Sequence, residues 1–426
     1  MLNATVTITG GQVHGNTSGI NAGFLATSGA TTVVRLENLK VYDSVAKTYG
    51  AAFIGGKAQL FAKNCDFYDN IAETGDTGAL CIGSQSKGEL TDCKFYGNRA
   101  GTHGGAMTCG MMSEVKMTNC DFTENQTGKN GGALYSNPAS QVRITGTAFN
   151  KNVAGERGGA LTCRGNMFLV DCTLENNSAL ADGGAVYTDT NATNGSGEMR
   201  GLVVENSTIR NNTSGGKGGA FFVYMGCRLE LHNAQVTGNT AALEGGAVWA
   251  YEDLELHNTK ITGNSSGGEG FAIYMNDANY DGHSYFANCN ELSGNVIVKD
   301  NPGGDLWMGP DVFFAITGEG LGEDTHIEVT LDSSVLTQRI LGAYHYEGGN
   351  LVYTVTYGDK SMTDPEFDPN LEGDKEETPV TPAETEESNT LLYVGVGIVA
   401  LVIIALGAFL VIKKKKAGKP AEETNQ

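Results

Sequence analysis

Apolar and polar positions alternate in short bursts along this chain, and the bursts return in phase. Phe122-Thr123-Glu124-Asn125 is followed by Gly131-Gly132-Ala133, and Phe149-Asn150-Lys151-Asn152 by Gly158-Gly159-Ala160. The interval between copies centres on 27 residues, running from 25 to 28 apart from two longer ones of 35 and 31. Aligned on the Asn, the column reads Asn16, Ser44, Asn70, Asn98, Asn125, Asn152, Asn177, Asn212, Asn239, Asn264 and Asn295. Three residues earlier stands an apolar residue every time: Val13, Val41, Phe67, Phe95, Phe122, Phe149, Leu174, Ile209, Val236, Ile261 and Leu292. Two residues before that, small side chains such as Cys65, Cys93, Cys120, Thr147 and Cys172 fill a second column, with Cys289 one residue further back in the last copy. Period-two alternation places both columns on the same, inward side of one strand.

A second strand precedes this one, with inward pairs such as Val34/Leu36, Val115/Met117, Val142/Ile144 and Leu229/Leu231. A third follows the Gly-Gly, as in Ala106-Met107-Thr108-Cys109 and Ala133-Leu134-Tyr135-Ser136. One such strand cannot bury its apolar side alone. Three per repeat, stacked on copies of themselves, close a continuous apolar interior, which predicts an all-β parallel β-helix solenoid. About ten rungs at ~4.8 Å each give a rod on the order of 50 Å long. The Asn column (Asn70, Asn98, Asn125, Asn152, Asn177, Asn212, Asn239, Asn264) then becomes a ladder, each amide donating to the next rung while its own backbone turns through αL. The Gly pair fits a tight corner with φ > 0.

Two intervals are stretched, around Thr188 to Gly195 and around Asn276 to Gly282. The expected organisation is β-helix repeats over 1–300, a small C-terminal β cap over 301–360, an acidic Pro/Glu/Thr-rich linker over 361–390, a transmembrane helix over 391–412 and a basic cytoplasmic tail over 413–426. The cap covers the last rung's open edge. Leu391 to Ile412 is 22 residues without a charge, followed by Lys413-Lys414-Lys415-Lys416, a length that spans a bilayer with the lysines on the cytoplasmic side. No Leu-Pro-x-Thr-Gly sorting motif precedes it. The first residues, Met1-Leu2-Asn3-Ala4-Thr5-Val6, lack a basic n-region and read as the middle of a repeat. Anchor and missing leader together point to a truncated or mis-started chain, with the ectodomain outside a cell membrane.

Composition narrows the partners. Gly is abundant (60) and Pro scarce (8), with no Gly-X-Y period, so collagen is excluded. Net charge is −21 and the repeats carry no basic stripe, which argues against nucleic acid. Nine cysteines would suit disulfides in an exported chain. Cys65, Cys93 and Cys120, however, lie in one inward column, where parallel side chains aim poorly at one another and free buried thiols pack better.

The Phe-x-x-Asn phrase at Phe67, Phe95, Phe122 and Phe149, with six Gly-Gly-Ala triplets between Gly104 and Ala247, resembles the repeat of chlamydial polymorphic membrane proteins. It is also similar to the right-handed β-helix domains of bacterial surface proteins. The resemblance covers most of residues 1–300 and implies a right-handed coil and a role in adhesion. The chain departs from that family in ending on one apolar segment instead of an outer-membrane β-barrel, which points to a one-membrane envelope.

Candidate sites are breaks in the repetition. The residue two after each Gly-Gly-Ala faces outward, and Tyr135, Tyr187, Phe222, Trp249 and Tyr274 make an aromatic stripe there. Such a stripe stacks sugar rings or anchors a protein, or its rings stack on one another and stabilise the sheet. Asp277-x-Asn279-x-Asp281-Gly282 matches the start of a calcium loop, but position twelve is Asn288 where a bidentate Glu is required; the sequence better fits a plain Asn/Asp/Gly-rich loop, and no cofactor is expected. Polysaccharide-cleaving β-helices need clustered carboxylates or a basic residue with calcium, and no Asp-Asp pair, Gly-His-Gly or basic cluster stands out. The expectation is a membrane-anchored cell-surface protein for adhesion or structural display, without catalysis, its partners the lipid bilayer and host or cell-wall glycans or surface proteins. The alternatives are a polysaccharide-binding or polysaccharide-degrading β-helix, and a C-terminal fragment of a larger surface protein.

Overall fold

The computed structural model describes residues 4–189, 200–251, 253–268, 270–276, 290–308, 314–322, 324–331, 354–357 and 360–361. The chain divides after Gly373 into two units, and all described residues belong to the first. That unit is a coil of parallel strands in which each turn stacks in register on the next. One turn runs through a five-residue strand (Glu114–Thr118), a three-residue Phe strand (Asp121–Thr123), a two-residue strand (Gln126–Thr127) and a three-residue strand after the Gly-Gly-Ala (Leu134–Ser136). Stacking these gives a long sheet, a Phe sheet, a narrow sheet and a Gly-Gly-Ala sheet; the long sheet has 12 strands and the narrow sheet 10. The turn therefore has four strands, one more than the three expected. The extra one, just after the ladder Asn, is too short to show an alternation in sequence.

Register follows the columns. Val115 lies between Gly88 and Val142, Phe122 between Phe95 and Phe149, and Leu134 between Met107 and Leu161. A slip of one residue would turn each inward set to solvent, so the apolar columns hold the register. Phe67, Phe95, Phe122 and Phe149 are fully buried and stack nearly parallel, with ring centroids 4.7–5.0 Å apart. Burying each such ring contributes roughly 1.5–3 kcal/mol.

The Asn ladder is built as expected. Asn125 Nδ2 donates to Phe95 O (2.9 Å) and to Asn152 Oδ1 (3.0 Å), while its Oδ1 accepts from the backbone N–H of Asn98 (3.1 Å). The left-handed backbone, however, belongs to the preceding residue, as at Asp69, Glu124, Lys151 and Asn211, and not to the Asn itself. The last member also differs. Asn264 N–H donates to Asn301 Oδ1 (2.9 Å), and Val298 pairs with Ile261. Asn295 is thus not in the ladder, and Leu292 belongs to the long sheet opposite Leu256.

The Gly pair splits into two roles. Gly131 has φ +72, the left-handed corner. Gly132 needs no positive φ; a Cβ there would come within 2.0 Å of Gly159 O, so it is small because the next turn passes against it. The eight described cysteines are all buried. Cys65, Cys93 and Cys120 do line one column, while Cys289 lies outside the described residues. Burial pushes the Cys81 thiol up to about 12.

The ladders do not stop near residue 300. Leu306–Met308 stacks on Ile273–Met275, and Phe314–Leu321 on Asn290–Gly294 with a register shift after Leu292. His326–Leu331 then pairs with both Ile297–Lys299 and Leu306–Met308, spanning two sheets with one strand. Among the described residues the stacked ladder therefore continues past residue 300. No helix among the described residues is long and apolar enough to cross a membrane; residues 361–426, apart from Ser361, lie outside them, the expected linker, anchor and tail included.

Candidate functional sites on the outer faces

Three side-chain arrays break the uniformity of the outer surface. The first is the expected aromatic stripe on the Gly-Gly-Ala sheet. Its rings leave the main core and form a second cluster, but they are not open to solvent: Tyr187 is 3 % exposed, Phe222 6 % and Trp249 1 %. Phe222 stacks on Tyr187 (5.1 Å) and on Trp249 (4.6 Å), and Tyr251 meets the Trp249 ring edge-on at 4.5 Å. Cations from the neighbouring turns close over the top, with the Arg157 guanidinium 5.0 Å from the Tyr187 ring centre and Lys217 Nζ 4.5 Å from that of Trp249. Those cations are themselves tied to Asp182 (3.5 Å) and Glu244 (3.5 Å) on the following rungs. Tyr135 is also buried, stacked on His103 at 4.4 Å, and its hydroxyl accepts from Arg164 Nη1 at 2.9 Å. Tyr274, half-buried, stacks on Trp307 at 4.1 Å. The exposed stripe is thus corrected to an outer core whose ring faces are occupied by one another. Burial pushes the hydroxyls of Tyr135 and Tyr187 up, desolvation outweighing the nearby Arg164 and Arg157.

The second array is an aromatic column that does reach solvent. His14, Tyr42, Tyr68 and Tyr96 stand on four successive rungs of the Phe sheet, stacked 4.6–4.8 Å apart. Their ring faces are shared; the Tyr42 hydroxyl donates to Gln12 Oε1 (2.9 Å), and Tyr96 is 36 % exposed. The sequence carried the signal, in Val41-Tyr42, Phe67-Tyr68 and Phe95-Tyr96, one position after the inward residue. Partial burial, then the neighbouring carboxylates, push Tyr96 up to about 12.

The third array lies on the outer face of the long sheet and was not anticipated. Leu229-Glu230-Leu231-His232 and Leu254-Glu255-Leu256-His257 are near-copies, and Asn290-Glu291-Leu292-Ser293 stacks next. The leucines face in, so Glu230, Glu255 and Glu291 form one outer column and His232, His257 and Ser293 the next. The Glu column is bounded by Val203 before and Ala315 after. Arg228 bridges Glu230 and Glu255, the second at 3.0 Å. The His232 and His257 rings stack at 4.5 Å. The hydrogen bond from His232 (3.2 Å) holds Glu230 below the usual carboxylate range, and the same bond raises His232. Glu255 is only 7 % exposed. The repeated Glu-Leu-His was the available signal. The calcium-loop residues Asp277, Asn279 and Asp281 lie outside the described residues.

The geometry on its own gives a parallel coil. A family model for the right-handed β-helix region matches residues 22–196. The fold is a right-handed parallel β-helix. No curated protein and no solved structure matches the chain. The β-helix fold is compatible both with surface display and with action on polysaccharides, so function has to be argued from the arrays.

Proposed function

We propose that this chain is a membrane-anchored rod of the cell surface that serves adhesion or structural display. The observation that carries the reading is how its outer side chains are used. Ion pairs such as Lys87–Glu114 (2.6 Å), Arg210–Glu175 (2.6 Å) and Lys217–Glu244 (3.5 Å) link one turn to the next, as do the aromatic columns. Side chains paired along the axis stabilise a long repetitive surface. The resemblance of the repeat to that of polymorphic membrane proteins and other surface β-helices supports the same reading. So does the apolar run at 391–412 with its lysine flank. The contact surface for glycans or surface proteins is the open edge of Tyr42, Tyr68 and Tyr96; the covered Tyr187, Phe222 and Trp249 hold the rod together instead.

Deleting residues 391–416 tests the anchor: the full chain is expected in the carbonate-washed membrane fraction and the deleted chain in the supernatant. Equal partitioning of both defeats the reading. A second reading, a polysaccharide-active protein, is favoured by the stacked Glu230, Glu255 and Glu291, since carboxylates side by side can share acid and base roles. Release of reducing or unsaturated sugars from a polysaccharide panel, lost in Glu255→Gln, would establish it.

A further inference from the structure

We propose that Glu255, His257 and Glu291 bind one divalent transition-metal ion of the zinc type. The donor atoms of these three residues lie within 4.8 Å of one another, two on one strand at alternate positions and the third directly opposite on the next turn. Zinc takes imidazole and carboxylate donors at about 2.0–2.2 Å. The rigid in-register backbone fixes the three Cα positions, and rotation of the two Glu side chains closes the remaining gap.

The surroundings are those of a ligand set. Glu255 Oε1 is held by Arg228 Nη1 at 3.0 Å, which leaves Oε2 turned to His257 Nε2 at 3.4 Å. The other ring nitrogen of His257, Nδ1, is 2.6 Å from Ser293 Oγ. In the tautomer that gives Nδ1–H to Ser293, Nε2 turns its lone pair toward the carboxylate, the arrangement a metal ion between them completes. A partner that takes the second imidazole nitrogen is what orients metal-binding histidines. Charge points the same way. Three carboxylates, Glu230, Glu255 and Glu291, face one guanidinium, Arg228, whose contacts are with the first two. Glu291 has no ion-pair partner among the described residues. The bounding residues Val203 and Ala315 show that this unbroken acidic run covers three successive rungs. The imidazole selects zinc, nickel or copper over calcium and magnesium, which prefer all-oxygen sets. Three protein donors leave a fourth position for water. The site stands apart from the display reading and needs neither adhesion nor turnover to be real.

The test is calorimetric titration of the chelator-stripped full chain with zinc chloride, with calcium and magnesium chloride as comparators. One zinc per chain is expected, with affinity falling at least ~100-fold in His257→Ala and in Glu291→Gln, and ~10-fold in Ser293→Ala. The substituted side chains are on the outer face, so far-UV circular dichroism is expected to stay at wild type. Cobalt(II) added to the unmodified chain gives a second readout that needs no variant, visible d–d bands of a low-coordinate site. No zinc heat, equal binding by calcium, equal zinc affinity in His257→Ala, or a cobalt spectrum of the hexa-aquo ion would each overturn the proposal.

Discussion

Replacing Asn125 by Ala tests the ladder where it is most regular. Asn125 is fully buried and lies between Asn98 and Asn152. Alanine removes the acceptor of the Asn98 backbone N–H (3.1 Å) and the donor to Phe95 O (2.9 Å). The Asn98 side-chain amide keeps Phe67 O at 2.9 Å and Phe95 O stays in a paired strand, so the Asn98 N–H is the main-chain group left without its partner and Phe95 O loses one donor. At ~1–3 kcal/mol for the stranded N–H and ~1 kcal/mol for the bond Phe95 O loses, the loss is about 2–4 kcal/mol. Because repeat arrays open locally, the cleanest readout is amide hydrogen exchange at Asn98, with urea unfolding alongside. Thr123→Ala, on the outer face of the preceding strand, gives up only a local bond to Asp121 Oδ1 (2.6 Å); it is the control and stays within ~1 kcal/mol. The chain also offers the reverse experiment. Ser44 occupies the ladder two rungs before Asn98, and its Oγ has no hydrogen-bond partner in the structure. Ser44→Asn restores the amide and is expected to stabilise by about 1 kcal/mol. If Asn125→Ala costs no more than Thr123→Ala, and Asn98 exchange is unchanged, the ladder does not hold the rungs together and the reasoning fails.

Three further outcomes follow from the same contacts. Gly132→Ala drives a Cβ to 2.0 Å from Gly159 O and is expected to cost about 1–3 kcal/mol or more by urea melts, whereas Gly19→Ala, with nothing within 4 Å, changes little. A charged maleimide is expected to leave the eight buried thiols unlabelled in the folded chain and to label them after denaturation; rapid labelling of Cys93 under native conditions would contradict the inward column. His232 is raised above its ordinary 6.5 by Glu230, so its contribution to stability is full below pH 6.5 and is lost as pH rises through its folded value. Glu230 is lowered below 4.5, so its contribution is present above that and is lost as pH falls through its folded value. An NMR titration of His232 with a midpoint above 6.5, falling back in Glu230→Gln, checks the pair.

The inward half of the molecule was readable because burial imposes a strict period. Phe67, Phe95, Phe122 and Phe149, the Asn ladder and the Gly-Gly-Ala triplets all occupy the columns their spacing implied. The outward half was not, because alternation tells which side a residue leaves the sheet and not what lies above it. Tyr187 and Trp249 do leave the sheet outward, yet Arg157 and Lys217, about thirty residues earlier, cover them. The misplacement of Asn295 has a different cause. Leu292-Ser293-Gly294-Asn295 imitates the repeat phrase, while the true ladder segment, Val298-Lys299-Asp300-Asn301, comes after a long interval that breaks the count. The Glu-Leu-His pairs were visible too, but each alone looks like an ordinary half-exposed strand. Only stacking in register turns them into a column of carboxylates beside a column of imidazoles.

Display at the cell surface is the central claim, and labelling intact source cells tests it most directly. Antibodies raised against residues 4–189 are expected to stain unpermeabilised cells, and protease added outside is expected to remove that signal while sparing a cytoplasmic marker. Staining that appears only after permeabilisation, with the β-helix protected from external protease, would contradict the account.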